Sequence, residues 1–315
     1  MISYLIRRAG VSVIVLIGIS IVVFGMLHFI FPSPAVIVLG PRSNRALVHA
    51  WNAEHGFDRP WLVQYVSYVN GVLHGNLGYS YKLNQTVSAL FRERWARSAY
   101  LSGSSLVLSL IIAIPLGIYQ AVRRNKVDDQ VVTAGAFTLY AMPDYFFYLI
   151  AIQFFAFSLP IFGFEASQAN SVWTIMRDWH DMTLPIVCLA LLIVAGYSRY
   201  MRSEAIDTLA QDYIKAARAK GLPERLVLWR HLVRNACLPM LTLIGLSIPA
   251  LLAGNLIAEF FFNYNGLGLL FYNALLNEDY PILLAYTLVG AVLTVAGNFL
   301  ADVALTVADP RIRFA

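Results

Sequence analysis

Charge is scarce in this sequence. Of its 315 residues only 13% are Asp, Glu, Lys or Arg while 59% are apolar, against about 25% charged in an ordinary soluble domain. Cysteine is nearly absent: Cys188 and Cys237 are the only two, and both lie inside apolar segments, so neither a disulfide framework nor a zinc site is indicated. No G-x-x-x-x-G-K-[ST] motif occurs, so the chain offers no phosphate-cradling loop of that kind. An internal repeat, the mark of many self-sufficient secondary transporters, is missing, and so is any low-complexity tract. His28 is the one histidine in an apolar block. That leaves the serines of Gly103-Ser104-Ser105 without a base to activate them and sets aside an intramembrane serine protease. No catalytic residue, metal ligand or resident cofactor is assigned. The net charge of +5 calls for no nucleic acid, because basic residues collect in loops retained on the cytoplasmic side of a membrane.

What is present is a set of long apolar blocks. About 20 such residues cross the hydrocarbon core as a helix, and six spans are predicted, at 9–31, 100–122, 131–159, 183–201, 237–262 and 282–306. The first follows Arg7-Arg8, yet it is too long for a signal-peptide core and no small-residue cleavage site succeeds it, so it is read as a retained anchor. Lysine and arginine set the orientation. The loop after the second span holds Arg123, Arg124 and Lys126, and the loop after the fourth holds Arg202, Lys215, Arg218, Lys220, Arg225, Arg230 and Arg234. Residues 160–182 contain only Arg177, and 263–281 contain no basic residue. Both termini are therefore expected in the cytoplasm. The chain reads as an all-α, multi-pass protein of the cytoplasmic (plasma or inner) membrane.

Four regions follow: 1–31, an N-terminal segment and first span; 32–99, extracytoplasmic; 100–306, a five-helix core containing the cytoplasmic loop 202–236; and 307–315, a short tail. Residues 32–99 carry Gly and Pro clusters that read as turns between short helices. Their end, 86–99, is expected to be an amphipathic helix with Val87, Leu90, Phe91 and Trp95 on one face. Pro115, Pro143, Pro185, Pro239 and Pro249 fall in spans and are expected to bend or break them.

The loop 202–236 carries the most specific signal. Leu209, Tyr213, Ala216, Ala217 and Lys220 recur at helical spacing, small residues there permit close approach by another backbone, and Gly221 is a natural stop. A short exposed helix between membrane spans is shaped to dock against another protein. A solvated surface helix explains the same pattern equally well.

These residues resemble a family. "DYIKAARAKGL" followed by "HLVRNACLP" looks like the EAA loop of ABC-importer permeases, in particular the B-type subunits of the dipeptide, oligopeptide and nickel branch. "GFDRPWLVQYVSYVNGVLHGNLG", "IAIPLGI", "AEFFFNYNGLGLLFYNALLNEDYP" and the terminal "DPRIRF" agree in order, so the likeness covers nearly the whole chain. It departs at Lys215, where the family's first loop position is glutamate, at Pro32-Ser33-Pro34 in place of Gly-Asp-Pro, and at Asp144, where a small or neutral residue is commoner. The resemblance implies a type I importer permease fold. It implies as partners a second permease, ATPase subunits that bind ATP and Mg, and an extracytoplasmic substrate-binding protein. Asp212, Tyr213, Ala216, Ala217, Arg218, Lys220, Gly221 and Leu222 would then couple the spans to the ATPases. The implied cargo is a peptide, with nickel or another chelate as the alternative within the same architecture.

Pathway residues are named on the cost of ionisable groups in a membrane. Asp144, behind Pro143 in the third span, is a candidate contact for a substrate amino group, with a structural partner on a neighbouring helix or on the second permease as the plainer alternative. The resemblance further implies that Asn255 and Glu259, near the outer end of the fifth span, lie near the extracytoplasmic gate; a simple interfacial location explains them equally well.

Overall fold

The computed structural model describes residues 2–30, 33–40 and 42–308. Pro32 and residues 309–315, which include the terminal "DPRIRF", lie outside them. The architecture is all-α apart from one two-rung hairpin. A long first helix, α1 (Ile2–Ile30), leads into α2 (Ala35–Leu39), α3 (Arg45–His55) and α4 (Trp61–Leu73). Strands β1 (Tyr79–Ser80) and β2 (Gln85–Thr86) pair antiparallel before α5 (Val87–Val122). Then come α6 (Val127–Ala141), and α7 (Asp144–Ile152) with a wider π-helical continuation to Ser158. Next are α8 (Val172–Arg177), α9 (Trp179–Leu209) and the short α10 (Asp212–Ala219). A one-turn α11 (Glu224–Leu226) runs through a π segment, Val227–Val233, into α12 (Arg234–Ala236). The chain ends in α13 (Met240–Ala253), α14 (Leu256–Phe261), α15 (Leu267–Leu276) and α16 (Tyr280–Ala308).

Among the described residues, four helices are long and apolar enough to cross a membrane: Gly10–Ile30, Val87–Val122, Trp179–Leu209 and Tyr280–Ala301. Two bent pairs bring the number to six if each counts as one span. The third predicted span, 131–159, is one of them. It turns by 103° between α6 and α7, because Pro143 supplies no N–H to continue α6 and forces Met142 into an extended conformation with ψ 133°. The fifth is also shorter than predicted. Its apolar run continues to 262, but α13 stops at Gly254, whose φ of +90° is a conformation L side chains avoid. Asn255 then caps a new helix, its side chain accepting from the Ala258 N–H at 3.0 Å. By contrast Pro115, Pro185 and Pro249 sit within continuous helices, so those three expected kinks are not breaks.

The predicted helix 86–99 and the second span are one object. Helix α5 runs unbroken for 36 residues, about 54 Å at 1.5 Å per residue. Its first turns bury Val87, Leu90 and Phe91 against Leu267 and Leu270 of α15 and Ile282 and Leu283 of α16. Trp95, expected on the same face, is 47% exposed. Further along, α5 crosses α9 so closely that a Cβ on Gly117 would lie 2.7 Å from both Met201 Cβ and the Ser198 carbonyl. Small residues at such crossings let membrane helices pack backbone to backbone. The region 32–99 is stitched to the spans by Phe24, which meets Tyr65, Tyr68 and Tyr280 ring to ring. The Ser80 hydroxyl also donates to Asp279 just before α16.

Candidate coupling surface and transport pathway

Helix α10 begins where Gln211 adopts an extended conformation, φ −70° and ψ 147°. It ends at Ala219, and two residues on Gly221 turns left-handed at φ +74°. The Gly221 N–H reaches back to the Arg218 carbonyl at 2.9 Å, closing the last turn around orphan carbonyls. Ile214 and Ala217 face inward and pack on Val227, with Leu209 and Leu222 around them. Tyr213, Ala216, Lys220 and Gly221 are exposed. This divides the predicted docking face. Ala217 was expected to meet a partner beside Ala216, but it is only 6% exposed because the chain's own π segment covers it. Leu222 likewise turns toward that cluster. Ile214, which the sequence reading passed over, is the anchor. Its signal was the i, i+3 apolar pair that it makes with Ala217.

Charges on the loop are paired locally. Lys215 Nζ donates to Asp212 at 2.9 Å, and its ammonium holds that exposed carboxyl below the usual carboxylate range. Arg218 spans the Gly221 turn and forks onto Glu224 at 3.1 and 2.6 Å. The loop is joined rigidly to the helices. Only Ala210 and Gln211 separate α9 from α10. Beyond α10, Leu232, Ala236 and Met240 pack with Met201 and Ala205 of α9 and Ala121 of α5. Packed side chains thus run from α10 through Ile214 and Val227 to the segment that contacts α9 and α5.

Arg202, counted above as a loop charge, lies inside α9. It grips Asp129 of α6 through Nε and Nη2, both at 2.7 Å, while the Asn125 N–H supplies a third donor at 2.9 Å.

The four pathway candidates do not converge. Pro143 and Asp144 form the α6–α7 bend, where Asp144 opens α7 exposed and without a hydrogen bond or ion pair among the described residues. Asn255 spends its side chain on the α14 cap. Glu259 departs most from expectation, since it is fully buried. It accepts from the Ser98 hydroxyl of α5 at 2.7 Å and from the Leu269 N–H of α15 at 3.1 Å. Ser98 Oγ in turn accepts from the Leu267 N–H at 2.8 Å. An apolar run had hidden this carboxylate's role as a strut between three helices. The Ser105 hydroxyl donates to its own helix, to the Leu101 carbonyl at 2.8 Å, as serines in apolar helices commonly do.

Comparison with known proteins fits this arrangement. Residues 113–314 match the family described as binding-protein-dependent transport system inner membrane component, and residues 1–102 match the corresponding N-terminal family. The oligopeptide transport system permease protein AppB of Bacillus subtilis is 36% identical, with all of both chains aligned. The dipeptide transport system permease protein DppB of Escherichia coli K12 is 32% identical over 99% of each chain. The glutathione transport system permease protein GsiC of Salmonella choleraesuis is 28% identical over the full length of both. The chain belongs to the binding-protein-dependent transport-system inner membrane components, permeases with the type I importer fold. It is a multi-pass protein of the inner membrane, and its family is one of transport permeases.

Proposed function

We propose that this chain is one permease subunit of an ATP-driven importer of peptides, forming the translocation pathway with a second permease. The observation that carries this reading is α10. It offers an outward face of Tyr213, Ala216 and Lys220 on a helix braced from within by Ile214 and Val227. With no phosphate-cradling motif of its own, the chain takes its energy from ATPase subunits that bind ATP and Mg and seat this helix. Closure of those subunits moves α10, and through it α9 and α5, between outward- and inward-facing states. A substrate-binding protein delivers cargo on the extracytoplasmic side, and both termini lie in the cytoplasm with the basic loops. The peptide cargo rests on relatives named for oligopeptide and dipeptide transport that align over essentially the whole chain; nickel or another chelate is the alternative within the same architecture.

The test is a pull-down in mild detergent of the native chain beside the Ala216→Arg/Gly221→Asp variant, with co-purifying proteins identified by mass spectrometry. The native chain brings down a second permease and ATPase subunits, and the variant loses only the ATPases. Purification of the native chain alone, still moving solute in liposomes, would replace the importer reading with that of a self-sufficient transporter.

A further inference from the structure

Two arginines three residues apart on α9 are treated very differently by the fold. Arg202 is used up by Asp129. Arg199 finds no hydrogen-bond acceptor and no ion-pair partner among the described residues. Its guanidinium instead lies over two rings of α6, 3.9 Å from the centroid of Phe137 and 4.9 Å from that of Tyr140. Stacking of this kind fixes the plane of a guanidinium and leaves its in-plane N–H donors free. The group lies near the cytoplasmic end of the predicted fourth span, 183–201, three residues before Arg202 on the same helix.

The space in front of it is substantial. A cavity of about 580 Å³ opens between α6, α9 and α13, walled by Phe137, Tyr140, Tyr197, Tyr200 and Leu243 around Arg199. Its floor is fastened, because the Tyr197 hydroxyl donates to the Leu243 carbonyl of α13 at 2.9 Å and shares a 2.6 Å hydrogen bond with Ser247. The volume falls in the range of small-molecule sites, and the wall chemistry is of their kind, largely aromatic with two arginines, Arg199 and the Asp129-bound Arg202. A fixed fork of donors matches a carboxylate better than any other common anion-bearing group on a peptide. The rings suit an apolar side chain beside it.

Resting on the peptide-importer reading, we infer that this cavity is a station on the transport route, and that Arg199 receives the C-terminal carboxylate of the peptide there. Arg199 is then a specificity-determining residue of the permease itself, in addition to whatever selection precedes it. A free carboxylate binds the station, and a C-terminal amide of the same peptide, which offers the guanidinium no charge, binds poorly.

The experiment uses the purified importer, permeases and ATPases together, without its binding protein, so that no upstream selection intervenes. A radiolabelled dipeptide carrying a diazirine side chain is photo-cross-linked to it, and labelled segments are mapped. Label is expected on α6 and α9, displaced by the unlabelled free acid and at least about tenfold less effectively by its amide, as loss of one charge-assisted contact dictates. Arg199→Gln abolishes the difference between acid and amide, and Arg199→Lys keeps part of it. Absence of label on α6 and α9, equal competition by acid and amide on the native importer, or an unchanged preference in Arg199→Gln would each overturn the inference. So would displacement by phosphatidylglycerol but not by peptide, which assigns the cation to a lipid headgroup. The acid–amide comparison on the native importer needs no variant to fold. Peptide uptake by the native importer in vesicles, measured alongside with ATP and the binding protein supplied, tells the two readings apart. Uptake without the expected competition sinks the carboxylate site alone; no uptake sinks the importer reading beneath it.

Discussion

Asp129 and Arg202 meet in a two-pronged fork, Nε to Oδ1 and Nη2 to Oδ2 both at 2.7 Å, which joins the first turn of α6 to α9. The Asp129 side chain is 2% exposed and that of Arg202 25%. Such a pair is weak evidence for net stability over an apolar replacement, but removing one member strands the other's charge. Asp129→Asn should therefore destabilise the permease by about 3 kcal/mol, at the low end for buried pairs because Arg202 keeps some solvent. A double replacement by Leu should recover part of the loss. Thermal unfolding in detergent checks this, and a single variant as stable as the native chain would show that the fork carries no energy.

Glu259 offers a similar test with a different readout. Replacing it by Ala deprives the Ser98 hydroxyl and the Leu269 N–H of their acceptor, at about 1–3 kcal/mol for each buried donor left unpaired. Ser98→Ala should cost a comparable amount, since it leaves the Leu267 N–H without its acceptor and takes one donor from the carboxylate. Stability and uptake are expected to fall together across the set. Loss of uptake by Glu259→Ala at unchanged melting temperature would return this residue to the gate.

Most helices were legible because a membrane span announces itself by its apolar length, and the charged loop 202–236 interrupts that pattern openly. The breaks were harder to see. "LIAEFFF" at 256–262 is as apolar as the span before it, so hydropathy alone carries the fifth span through Gly254. Only a left-handed glycine followed by a capping asparagine marks the stop. Proline misled in the opposite direction: Pro115 and Pro185 remain in helices that continue past them, while Pro143 alone coincides with the 103° turn. On α10 the sequence placed the helix and its glycine correctly. It could not choose between Ala216 and Ala217, since which alanine faces out depends on Val227, ten residues further along.

That choice yields a paired prediction. Ala216 is exposed, so Ala216→Leu should leave stability within about 0.5 kcal/mol of native while blocking the ATPase seat. Ala217 is packed against Val227, and Ala217→Leu overpacks that contact at about 1–3 kcal/mol. Melting temperature together with peptide-stimulated ATPase activity separates the two effects. Equal loss of stability in both variants would mean that the helix is turned differently from the arrangement described here.

Gly221 lets conformation be tested apart from contact. Nothing lies within 4 Å of where its Cβ would stand, yet its φ is +74°. A substitution there meets backbone strain and no collision. Gly221→Ala should cost about 1–2 kcal/mol for the left-handed conformation, and Gly221→Asn less, because asparagine adopts that region more readily. Across the turn, the Arg218–Glu224 fork is exposed on both sides, 45% and 52%, and an exposed pair contributes about 0.2–1 kcal/mol. It cannot hold the turn closed against an alanine. ATPase co-purification should consequently rank Gly above Asn above Ala, with Arg218→Ala near native in stability. If Asn and Ala behave alike in both stability and co-purification, the left-handed turn is not what positions α10, and the weight of that positioning passes to Ile214 and its contact with Val227.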